Sequence, residues 1–190
     1  MKTLLYIHGY GSTGQAFKAR QLSEMFPDCR LLSPTFDYDR LTPCQVFEQL
    51  KEIITTECPD LIVGSSTGGY YALCTTLFYN GTVWCVNPVR DIVATIARHL
   101  AHEGENIAMR LTEYKAFDQQ VFRHLKPKDG QLHFALSTDD ELLGDHRPLL
   151  AMFPNYGNVV WKADSGHRFF RFAELEEDIR KSLESPVSHR

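Results

Sequence analysis

Gly64-Ser65-Ser66-Thr67-Gly68-Gly69 separates two segments of different character. Before it, Asp60-Leu61-Ile62-Val63 is a short apolar run of the kind that forms a buried strand. After it, Tyr70-Tyr71-Ala72-Leu73-Cys74-Thr75-Thr76-Leu77 reads as a helix. Gly64-x-Ser66-x-Gly68 therefore falls on a strand-to-helix turn, the context in which G-x-S-x-G forms a nucleophile elbow. The flanking glycines let strand and helix approach closely, while the central residue takes a strained conformation that lifts its hydroxyl into the open. Ser66 is the candidate nucleophile.

Similar short runs rich in Leu, Ile and Val recur on both sides of the elbow, near 3–7, 30–33, 60–64, 82–86, 132–137 and 158–162. Helical patterns fall near 14–26, 43–57, 68–79, 91–102, 111–125, 142–152 and 169–184. Strands that are apolar almost throughout, rather than alternating, are buried on both faces, which implies a parallel sheet between helical layers. Right-handed crossovers then predict a three-layer α/β/α domain built on a doubly wound, mostly parallel six-stranded sheet. With 190 residues, 43% of them hydrophobic, the chain suits one domain over 1–184 with a flexible tail at 185–190.

Acidic residues number 24 against 20 basic ones, for a net charge of −4, and no like-charged block is long. A nucleic-acid partner or an anionic-membrane surface is not expected. The chain enters a strand at Leu4-Leu5-Tyr6-Ile7 without a signal-like segment, and no apolar run approaches membrane-spanning length. A soluble cytoplasmic protein without stable membrane insertion is the expectation. Cys29, Cys44, Cys58, Cys74 and Cys85 are odd in number and contain no C-x-x-C pair, so reduced, mostly structural thiols are expected rather than disulfides or a zinc site.

A serine hydroxyl needs a base to take its proton, and the base needs a third group to hold its tautomer. After an elbow of this kind the partners follow in the order acid, then histidine, each past the end of a later strand. Thr138-Asp139-Asp140-Glu141-Leu142-Leu143 follows the run Leu132–Ser137, and Asp164-Ser165-Gly166-His167 follows the last. His167, in a glycine-bearing loop before a helix, is the candidate base; His146 is its competitor. Asp140 is the candidate acid, with Asp139 and Asp145 in the same stretch. Asp139 reads alternatively as a helix cap.

The developing oxyanion needs backbone N–H donors. Thr67 N–H, directly after the nucleophile, is one candidate. Tyr10 N–H, in the loop His8-Gly9-Tyr10-Gly11-Ser12, is the other. The His8 side chain acts in the chemistry or props the loop.

Gly9-x-Gly11-x-x-Gly14 also satisfies the dinucleotide fingerprint after a strand. The second strand, however, runs into Leu32-Ser33-Pro34-Thr35 with no acidic residue at its tip for a ribose. A cofactor reading also leaves Ser66, Asp140 and His167 unexplained. A P-loop is excluded because Tyr70-Tyr71 stand where Lys-Ser/Thr belongs. A dinucleotide-binding protein and a catalytically inactive binding module of the same fold remain the alternative readings.

The chain resembles the small bacterial YqiA-like esterases of the α/β-hydrolase superfamily. The resemblance is carried by Leu5-Tyr6-Ile7-His8-Gly9-Tyr10, by Gly64–Ala72 at the elbow, by Asn87-Pro88-Val89-Arg90, by Thr138–Leu143, and by Gly166-His167 with Phe169. It implies a minimal α/β-hydrolase fold and a serine esterase with Ser66, Asp140 and His167 as triad. Related sequences tend to read T-G-D-E where this chain has Asp139 in the glycine position. The implied substrate is a small-molecule carboxylic ester or acyl thioester, with no metal or organic cofactor. Two amphipathic patterns over about 88–130 stand where the superfamily inserts a helical lid, or form an ordinary crossover. Tyr114, Phe117 and Phe122 there line an acyl pocket or pack inward.

Overall fold

All six apolar runs form strands: β1 (Thr3–Ile7), β2 (Arg30–Leu32), β3 (Leu61–Ser65), β4 (Thr82–Val86), β5 (Leu132–Ser137) and β6 (Val159–Lys162). The computed structural model describes residues 1–100 and 107–184; the expected tail at 185–190 and positions 101–106 of the expected insertion lie outside the described residues. Seven α-helices are described: α1 (Phe17–Met25), α2 (Pro43–Glu57), α3 (Thr67–Thr75), α4 (Ile92–His99), α5 (Ile107–Gln120), α6 (Arg147–Leu150) and α7 (Glu176–Glu184).

The strands pair in parallel throughout, in the order β2-β1-β3-β4-β5-β6. Successive side chains along a strand enter opposite layers. On β1, Leu5 and Ile7 join the layer of α2, α3, α4 and α5, while Leu4 and Tyr6 join that of α1 and α7. On β4, Val83 and Cys85 take the first side, Trp84 and Val86 the second. Both faces are apolar because both are covered, which is why the strands read as unbroken hydrophobic runs. The chain leaves β1 towards β2 on one side and returns to β3 on the other. At such a reversal the crossover helices diverge, opening a crevice at the carboxyl ends of the two strands.

Helix α2 has the predicted limits. Thr42 Oγ1 accepts Gln45 N–H at 3.2 Å and Gln45 Oε1 accepts Thr42 N–H at 2.8 Å, a capping box ahead of Pro43. Other helices are shorter than their apolar patterns. The helix expected over 142–152 shrinks to α6. Asp140 Oδ1 instead takes the N–H groups of Leu142 and Leu143 at 3.0 and 2.8 Å, and Gly144 turns the chain at φ +70°. The helix expected over 169–184 begins as a 3-10 turn at Phe172–Leu175, because Phe169 has φ +52°. The one expected over 14–26 starts at Phe17, after Gly14 has packed its backbone against Ser33. All five cysteines are free thiols, and Cys74 and Cys85 are core residues. Among the described residues, no helix is long and apolar enough to cross a membrane.

Candidate active site

Ser66 occupies the single residue between β3 and α3, with φ +57° and ψ −121°. A non-glycine residue there is strained by about 1–3 kcal/mol, and its own backbone bonds hold it. Ser66 N–H donates to Val86 O at 3.0 Å, and Ser66 O accepts from Tyr70 and Val89 N–H, each at 3.1 Å. The two flanking glycines are required by contact. A Cβ at Gly64 would overlap the Gly68 carbonyl and Ala72 Cβ; one at Gly68 would overlap the carbonyls of Ile7 and His8.

His167 arrives on the loop after β6, and its Nε2 lies 2.9 Å from Ser66 Oγ. Its Nδ1 lies 3.0 Å from both carboxylate oxygens of Asp140. A carboxylate only accepts, so Nδ1 carries the hydrogen and the Nε2 lone pair faces the serine hydroxyl. The structure thus brings Asp140, and not Asp139 or Asp145, to the imidazole. Burial raises the Asp140 pKa, but hydrogen bonds from His146, His167 and Leu143 N–H outweigh it and hold this carboxyl well below the usual range.

The three consecutive acids divide the work of holding one loop. Asp139 accepts the N–H groups of Ser165 and Gly166, each at 3.2 Å, and caps this loop, not a helix. Glu141 Oε2 accepts His167 N–H at 2.8 Å. Asp145 instead pairs with exposed Arg147.

Two participants were not assigned these roles from sequence. His146, the rival base, is buried and donates Nε2–H to Asp140 Oδ2 at 3.0 Å, an oxygen it shares with His167. Asn87, fully buried at the end of β4 with φ +41°, accepts Ser137 N–H at 2.8 Å. Its amide donates to Ser137 Oγ and to the carbonyls of Gly166 and His167 at 3.0 to 3.1 Å. An Asn-Pro pair closing an apolar strand was the available signal for Asn87. For His146 there was none, because its partner is set by the turn over 140–144.

The loop after β1 closes over the elbow: a Cβ at Gly9 would stand 3.1 Å from Ser66 Cβ. Thr67, the first residue of α3, offers an N–H with no acceptor within the helix. Tyr10 stacks on His99 at 4.2 Å, and its hydroxyl bonds Asp39. His8 props the loop. Phe36 N–H donates to its Nε2 at 2.8 Å, which leaves Nδ1–H to donate to Gly9 O at 2.8 Å. The glycines of the apparent dinucleotide fingerprint serve this packing: Gly9 lies on Ser66, and Gly14 on Ser33 with its N–H on Thr35 Oγ1.

A family model described as an uncharacterised protein family, UPF0227, matches residues 3–183. The chain belongs to this YqiA-like family. A UPF0227 protein of Vibrio vulnificus strain CMCP6 is 28% identical over 197 residues, covering 96% of this chain and 99% of that protein. Among solved structures, Est1E from Butyrivibrio proteoclasticus superposes with a TM-score of 0.71 at 12% identity, covering 97% of this chain and 89% of that one. Est1E is also known with ferulic acid bound. A monoacylglycerol lipase from Paleococcus ferrophilus matches with a TM-score of 0.67 at 11% identity, covering 95% and 93% of the two chains. At these identities the likeness shows the fold, which is that of the α/β-hydrolases.

In this member of the family a cleft of about 740 Å³ opens beside Ser66 and His167, at the crevice between the ends of β1 and β3. Exposed Phe17, Leu142 and Phe170 form its apolar walls, and α4 contributes His99. Tyr114, Phe117 and Phe122 pack inward: Phe122 stacks on Tyr70 at 4.6 Å, and Phe117 meets Phe47 edge-on at 5.4 Å. Helix α5 is thereby part of the core layer over α3.

Proposed function

We propose that the protein is a serine hydrolase acting on carboxylic esters, acyl thioesters included, through an acyl-enzyme intermediate. One observation carries the reading: Ser66 Oγ, His167 Nε2 and Asp140 form an unbroken hydrogen-bonded chain at the mouth of a cleft. Ser66 Oγ attacks the acyl carbon as its proton passes to His167 Nε2. The resulting imidazolium is stabilised by Asp140. Negative charge gathers on the former carbonyl oxygen, and Thr67 N–H, with Tyr10 N–H, stabilises it. The tetrahedral species collapses, the bond to the leaving group breaks, and His167 returns the proton to the departing alcohol or thiol. Water then repeats the sequence against the acyl-Ser66 ester, giving the free acid and restoring the hydroxyl.

The test is a p-nitrophenyl ester chain-length series on the wild type and on Ser66→Ala. The substitution is expected to lower kcat by about 10⁴–10⁶. Ester hydrolysis by Ser66→Ala within tenfold of the wild type overturns the assignment. The chain-length profile also reports how much acyl chain the walls of Phe17, Leu142 and Phe170 accommodate.

A further inference from the structure

Lys18 stands in the first turn of α1, and Arg168 directly follows His167; both line the cleft that holds Ser66 Oγ. Among the described residues no hydrogen bond or ion pair joins either cation to a carboxylate, and these two are the cations that line the cleft. Glu141, the one carboxylate in the lining, accepts His167 N–H and pairs with neither cation. The amino end of a helix repels a cation, and the first turn of α1 carries no acidic residue to offset Lys18. Burial, and then repulsion from Arg168, lower the Lys18 pKa to about 8. Phe17 and Phe170 stand exposed in the same lining.

From this arrangement we propose that the cleft selects esters bearing an anionic group, a carboxylate or a phosphate, which Lys18 and Arg168 hold while the apolar part lies on Phe17 and Phe170. The anion supplies the counter-charge that both cations lack and opposes the positive end of α1. The proposal rests on the serine-hydrolase reading and deepens it.

The experiment compares kcat/KM within matched pairs. Mono-p-nitrophenyl glutarate against p-nitrophenyl valerate places the charge on the acyl side. Butyrate esters of 4-hydroxybenzoate and of 4-hydroxyphenyl phosphate, against that of methyl 4-hydroxybenzoate, place it on the leaving group. The wild type is expected to favour the charged member of at least one pair by about tenfold or more. That ratio falls roughly tenfold in Lys18→Met and in Arg168→Gln, survives in Lys18→Arg, and shrinks in high salt. Equal rates within every pair, or a preference indifferent to both substitutions, overturn the proposal. Calorimetric binding of the preferred charged ester to Ser66→Ala, with and without Lys18→Met, reads the cations without catalysis. Charged-ester binding that needs Lys18, with no ester cleaved by the wild type, strikes only the hydrolase reading; neutral-ester cleavage with no charge preference strikes only the anion proposal.

Discussion

Asp140 accepts from four donors: the imidazoles of His167 and His146 and the N–H groups of Leu142 and Leu143. Its position is thus fixed from two sides, and His146 acts on Ser66 only through it. Asp140→Asn replaces one acceptor oxygen by an N–H₂ group. This favours the tautomer with hydrogen on His167 Nε2, which cannot take a proton from Ser66. The expected result is a fold retained by circular dichroism and a kcat lowered by about 10⁴. Asp139→Asn, which keeps one acceptor for the N–H groups of Ser165 and Gly166, is expected to stay within about tenfold of the wild type. A loss of 10⁴ in Asp139→Asn with mild behaviour in Asp140→Asn would exchange the roles.

The elbow is an element whose geometry depends on absent side chains. Because the nearest atoms to a Cβ at Gly68 are main-chain carbonyls of Ile7 and His8, they cannot rotate away as a side chain would. Gly68→Ala therefore has to push β1 and α3 apart. A destabilisation of roughly 3 kcal/mol or more follows, or a fall in Tm of about 6–12 °C for a domain of this size. A thermal scan that shows Gly68→Ala melting with the wild type would mean this contact is not tight. The neighbouring element, the loop 164–168, has no regular structure and is held instead by Asn87, Asp139 and Glu141.

Across the whole molecule, the groups that titrate on the acid side bias stability in one direction. Burial lowers the pKa of His8 and of His133 from 6.5, and the Gly9 and Gly130 carbonyls that oppose the shift do not reverse it. Each histidine contributes fully above pH 6.5, and the contribution is lost as pH falls from there towards the lower folded value. Asp140, held below 3.8, contributes at all higher pH and loses its contribution only as pH falls through that lower folded value. Urea midpoints should therefore be level between pH 6.5 and about 8, where Lys18 begins to titrate, decline below 6.5, and drop again below pH 3.8. In His146→Asn the lowest step should move to higher pH, since one donor to Asp140 is gone. A midpoint that rises on acidification below 6.5 would contradict the sign.

Much of the site was legible in order along the chain, because an elbow announces itself locally: glycines two residues either side of Ser66, a strand before and a helix after. Asp140 and His167 were readable as positions past strand ends. Pattern favoured Asp140 over Asp139 and Asp145, but what separates these carboxylates physically, the way the turn over 140–144 points them, is set by the fold. For the same reason His146 could be mistaken for a base, and the rings of Tyr114, Phe117 and Phe122 could be placed in a pocket when they belong to the core. Periodicity reports that a side chain is buried, whereas its partner is set by how layers meet. The linear chain dictates buried strands, the turn at Ser66 and the supply of acid and base. Which imidazole reaches the hydroxyl, and which cations border the cleft, follow from strand order, because the parallel run β3-β4-β5-β6 sets the ends of these strands along one edge of the sheet, where residues a hundred positions apart come within a hydrogen bond.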